Sequence, residues 1–94
     1  MTSYARSTEV GEIVEEHDEE GLVVYVASLP DGPIHVLNGV ASLIWLEATA
    51  TDTSVDVVER VAALVERQSE TIRGEVDSFL AHLMEMGLLR RVID

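Results

Sequence analysis

Three histidines, His17, His35 and His82, are the side chains of this 94-residue chain best suited to proton transfer or metal ligation. His82 and Glu85 stand three residues apart in an apolar-periodic segment, a spacing that lets two side chains of one helix share an ion. No partner motif accompanies them, so they read as a surface pair. His17 falls in an acidic turn and reads as solvated, and His35 falls in a short alternating run as an exposed or half-buried residue. The acidic run 15–20 lacks the glycine and the alternating ligands of a calcium loop. Cysteine is absent, which removes disulfides, thiolate metal sites and thiol nucleophiles, and lysine is absent, which removes Schiff-base chemistry and a P-loop phosphate grip. No serine sits in a nucleophile elbow and no glycine-rich phosphate loop exists. The expectation is a non-enzyme without cofactor or metal.

Charge narrows the partners. Eighteen acids face six bases, all arginine, for a net charge of -12. Residues 1–36 carry -7 of it, residues 37–67 carry -3 and residues 68–94 carry -2. Such a surface repels nucleic-acid phosphates and lacks the basic groups that release their counterions. An apolar fraction of 47% still calls for a folded core. The first twenty residues hold no apolar signal segment, and the longest near-apolar stretch, 39–46, is far too short for a bilayer. The expectation is a cytoplasmic protein with neither nucleic-acid nor membrane partner.

These residues need elements to hold them. Residues 1–9 read as a flexible arm and 10–94 as a single domain. The runs 10–15, 22–29 and 33–37 read as strands. The acidic turn closing on Gly21 joins the first two, and Pro30-Asp31-Gly32, with glycine at positive φ, joins the second to the third. In the third run Ile34 and Val36 alternate to one face, His35 and Leu37 to the other. Asn38 then reads as the N-cap of a helix with the stripe Ala41, Ile44, Trp45 and Ala48. Thr53 and Asp56 resemble a capping box, opening a second helix with Val55, Val58, Ala62 and Val65 inward. Ser69 and Glu70 open a third, with Ile72, Val76, Phe79, Leu80 and Leu83 inward and Gly87 just past its end. Residues 88–93 read as a short closing strand or tail. Strands segregated from helices give an α+β fold, winged helix-turn-helix-like, with an N-terminal three-stranded antiparallel sheet followed by three helices.

With catalysis and nucleic acid set aside, a peptide or protein binder remains. The third strand has one unpaired side, a template for strand addition. Two flanks border the stripe of the third helix: Arg73, Asp77, Leu80 and Met84 on one side, Glu75, His82 and Met86 on the other. Either suits a peptide groove, and the plain alternative is that Leu80 and Met84 are the edge of the core.

The segment from Val36 to Trp45 resembles the PqqD-like family, the peptide chaperones of pyrroloquinoline quinone biosynthesis, also called RiPP recognition elements. The likeness rests on Leu37-Asn38, Ala41 and Ile44-Trp45, then Phe79-Leu80, Leu83 and Gly87-Leu88-Leu89, in order and spacing across about residues 10–92. Gly39 stands where the family often has proline, and the acidic N-terminal third is not part of the pattern. The resemblance implies a chaperone that binds the leader segment of a ribosomally made precursor peptide as an added strand. It would present that leader to a modifying enzyme, a radical SAM enzyme or, in lasso-peptide systems, a leader peptidase. Carried onto this chain, Ile34, His35, Val36 and Leu37 would supply the backbone bonds. Val76, Leu80 and Met84 would form an apolar wall and Arg73 and Asp77 its polar border, this flank being chosen on amphipathicity. The expected state is a monomer or weak homodimer. The competing readings are a helix-turn-helix transcription regulator and a scaffold subunit of a biosynthetic complex.

Overall fold

The β-branched run of the second predicted strand dictates the sheet. In the structure, a computed structural model that describes residues 3–19, 21–50 and 56–92, this run is β3 (Gly21–Ser28). It pairs antiparallel on one side with β2 (Val10–His17) and on the other with β4 (Ile34–Asn38), giving the order β2-β3-β4. A period of two sorts the side chains. Val10, Val24, Val26 and Leu37 face inward and join the core, while Ile13, Tyr25, Ile34 and Val36 share the outer face. The β2–β3 hairpin turns at Gly21, at φ 73°. Gly32, in the loop before β4, does not take the positive φ expected of it. Its backbone N–H donates to the Ser28 carbonyl at 2.8 Å, and a Cβ there would stand 2.5 Å from that oxygen. Close approach, rather than handedness, calls for glycine at this position.

Helices follow as expected in number: α1 (Val40–Ala48), α2 (Val57–Leu64) and α3 (Ser69–Glu85). Their termini differ from the sequence reading in instructive ways. Asn38 remains in β4, and Gly39 at φ 57° caps α1 with no side-chain bond. The Ser42 hydroxyl instead donates to the Gly39 carbonyl at 2.7 Å. Asp56 is itself the N-cap of α2, accepting from the Val58 N–H at 2.8 Å, while Thr53 and Val55 lie outside the described residues. The C-terminus of α3 is a Schellman motif: Gly87, at φ 76°, donates to Met84 and Leu88 donates to Leu83. Leu83 and Leu88 are both buried, the apolar contact that accompanies this motif. The same bonding ends α2, where Glu66 at φ 56° occupies the left-handed position.

The N-terminal segment expected to be an arm forms β1 (Ser3–Arg6), antiparallel to β5 (Leu89–Val92) in a second, two-stranded sheet. α1 packs on the inner face of the three-stranded sheet, leaving Val14 and Leu22 exposed at its hairpin end. Trp45 is fully buried there, and its indole N–H donates to the Glu12 carboxylate of β2. The other oxygen of Glu12 pairs with Arg6 of β1 at 3.2 Å. Glu47 and Arg60 join α1 to α2 at 3.4 Å, and α3 packs across α1, α2 and β5.

Two measurements check this account. Glu12→Ala leaves a buried indole donor unpaired and should lower the free energy of unfolding by about 1–3 kcal/mol, while Glu12→Gln, which keeps an acceptor, should cost less; urea denaturation followed by Trp45 fluorescence reads both. Glu66→Gly relieves a left-handed glutamate and should raise stability, whereas Gly87→Ala imposes one and should lower it, each by about 1 kcal/mol.

Candidate functional site

β4 is five residues long and has β3 on one side; among the described residues no strand lies along the other. In an antiparallel ladder alternate residues bond to the partner strand, so the remainder turn both N–H and C=O toward the open edge. The side chains alternate as expected. Ile34 and Val36 are 69% and 57% exposed on the outer face, while Leu37 is buried and His35 half-buried on the inner one.

In the chain, the open edge is followed directly by residues that line a hollow. Gly39, at positive φ, swings the chain from β4 into α1, and the first turn of α1 then floors a pocket of about 320 Å³ against α3. Val40, Ala41 and Ile44 come from α1, and Glu75, Ser78, Phe79 and His82 from α3. The residues 75, 78, 79 and 82 recur at helical spacing, so they share one face. Ile44 is buried and Phe79 half-buried, which makes the interior apolar, while exposed Glu75, Ser78 and His82 form a polar rim. The volume is enough for one or two side chains. Across Val40 lies a second apolar hollow of about 350 Å³, lined in part by Leu22, Leu43 and Val65.

The α3 residues expected to face a peptide take other places. Val76 is 0% and Leu80 2% exposed; both belong to the core and present no surface. Met84 is half-buried against that core. The guanidinium of Arg73 reaches the N-terminus of α2, 3.4 Å from Asp56 and 3.6 Å from Glu59, on the flank away from the pocket. Asp77 is exposed on the same flank. The pocket therefore takes the other flank, that of Glu75 and His82. Ser78 has no place in the sequence reading of the site, and Phe79 reads there as part of the core stripe. A half-polar set at 75, 78, 79 and 82 carrying the chain's single phenylalanine was the available signal.

His82 faces this pocket, and no group of three or more acidic or histidine side chains is placed to hold a metal ion among the described residues. The acidic hairpin tip forms an open polar hollow where His17 lies 3.1 Å from Glu15. No described helix is long and apolar enough to cross a membrane.

The family model for coenzyme PQQ synthesis protein D (PqqD) matches residues 18–89. The chain belongs to the PqqD family. The matched span runs from the hairpin tip into β5, and so contains β4, the pocket and all three helices. It leaves out β1 and all of β2. No curated protein and no solved structure gives a significant match. PqqD proteins are small accessory proteins of ribosomal-peptide biosynthesis that work with precursor peptides and modifying enzymes.

The assignment of Val76 and Leu80 to the core has a direct test. Leu80→Asp buries an unpaired carboxylate, a loss of more than about 4 kcal/mol against a total of about 5–15 kcal/mol for a domain, and should largely abolish cooperative thermal unfolding. Glu75→Ala and His82→Ala, on the rim, should each stay within about 0.5 kcal/mol of the parent.

Proposed function

We propose that this PqqD-family protein binds the leader segment of a ribosomally synthesised precursor peptide and presents it, without catalysing a reaction itself, to a modifying enzyme. The leader adds as a strand along the open edge of β4, at Ile34, His35, Val36 and Leu37, and seats an apolar side chain between Val40, Ile44 and Phe79. The observation that carries this reading is continuity: the only five residues between the β3–β4 loop and Gly39 form an edge strand, and the next turn of chain floors the α1–α3 pocket. Only Gly39 separates that edge from Val40, the first residue of the pocket. Glu75, Ser78 and His82 supply the polar rim in place of Arg73 and Asp77. Arg73 holds α2 on α3, and Val76, Leu80 and Met84 support the pocket from behind as core.

Magnitudes explain why an edge and a pocket are both required. About four ladder bonds at about 1 kcal/mol net each give about 4 kcal/mol, which corresponds to roughly millimolar affinity. One or two buried apolar side chains add about 1.5–3 kcal/mol each, reaching the micromolar range before ordering costs. Backbone pairing sets register and direction; the pocket selects which leader is held.

The test is a titration of a fluorescently labelled leader, taken from the precursor encoded beside this chain, followed by anisotropy. Successive β4 residues point their N–H groups to opposite sides, so one of His35→Pro and Val36→Pro removes a donor from the open edge without breaking the β3 ladder. That variant, recognised by a retained far-UV spectrum, should bind about tenfold more weakly, as should Phe79→Ala. Parental affinity in both folded variants would place the peptide elsewhere.

A further inference from the structure

The outer face of the sheet is open around Ile13, Ile34 and Val36. Ile13 is 63% exposed, Ile34 and Val36 69% and 57%, and Leu29 53%, with half-buried Tyr25 at the centre of the row Ile13–Tyr25–Val36. Leu29 belongs to this face because it lies over Gly11, where an added Cβ would come within 3.1 Å of its Cδ1. The core against the helices takes Val10, Val24, Val26 and Leu37 from the opposite face, and on this face Val23, beside Glu15 and Asn38, is buried. So many large apolar side chains on one side of a three-stranded sheet form a contiguous patch of the kind that marks a protein interface.

Charge identifies the kind of partner. Residues 7–59, which include the whole three-stranded sheet, contain twelve acids and neither arginine nor lysine. Glu15 stands on the outer face itself, and Glu9, Asp18, Glu19 and Asp31 lie at the ends of its strands. A second copy would bring the same acidic border against this one, which like-charge repulsion disfavours. A surface with an apolar centre and an arginine- or lysine-rich border fits instead.

We infer that the outer face of the β2-β3-β4 sheet, centred on Ile13, Tyr25 and Val36, is the docking surface for the modifying enzyme, which meets it with an apolar patch bordered by basic side chains. This rests on the proposed leader-binding role for the identity of the partner. A leader strand added to β4 would widen the same sheet, so the enzyme would meet protein and peptide on one continuous face. The acidic border should speed and orient encounter, and its effect should fade with salt.

The experiment measures binding of the purified modifying enzyme encoded beside this chain, by interferometry without leader, at about 0.05 M and 0.5 M sodium chloride. Neither Ile13 nor Glu15 lies on β4 or in the pocket. Ile13→Ser should weaken enzyme binding about tenfold, and Glu15→Arg should weaken it at low salt and flatten its salt dependence. Both variants should keep parental leader affinity in a separate titration, so failure of leader binding and failure of docking are read independently. Parental enzyme affinity in both variants, or no enzyme binding by the parent protein, overturns the inference. So does a stable dimer of the protein alone, seen by sedimentation and dissociated by Ile13→Ser.

Discussion

Trp45 is fully buried against the inner face of the three-stranded sheet, its indole N–H held by Glu12, which also receives Arg6. That contact joins β1, β2 and α1, which also meet in the core through Tyr4, Val10 and Ile44. α1 packs on the inner face with Ile44, Trp45 and Ala48 buried, and the indole ring brings the largest apolar area among them. Because the ring needs a hydrogen-bond partner once buried, the carboxylate on β2 fixes where along the sheet α1 can lie. With α1 fixed, its first turn has to emerge from β4 through Gly39, and α3 closes on the remaining side. The pocket at the end of β4 is a consequence of that chain of constraints.

Much of this was legible in the residues. The β-branched run of β3 and the stripes of α1 and α3 follow from side-chain periodicity, and Gly87 from the backbone geometry that only glycine adopts freely. What escaped notice was non-local. β1 is four residues long and finds its partner at the other end of the chain, with Ser3 opposite Val92, so no local pattern announces it. Asn38 has the composition of a helix cap, but the ladder with β3 claims it for the strand, opposite Val23.

The groove shows the same division. The edge character of β4 could be read from its order in the meander. The choice between the two flanks of α3 could not be, because both carry apolar and charged residues at equivalent angles. It was decided by which flank α2 covers, and Arg73 with Asp56 and Glu59 marks that side. Phe79 illustrates the difficulty: by hydrophobicity it belongs in the core stripe, yet it stands half-buried in the pocket wall. The uneven charge acquires a location as well. The acids crowd the sheet, while five of the six arginines lie at residue 60 or beyond.

The central claim is that a peptide is held as a fourth strand along β4 and against α3. Amide chemical shifts of the isotope-labelled protein, followed while unlabelled leader is added, test it most directly. The account predicts that the amides of residues 34–41 shift together with those of residues 75–82, and that the outward-facing amides of β4 become protected from solvent exchange. Shifts confined to β2, to the β1–β5 sheet or to the Arg73 flank of α3, with β4 unchanged, would contradict it.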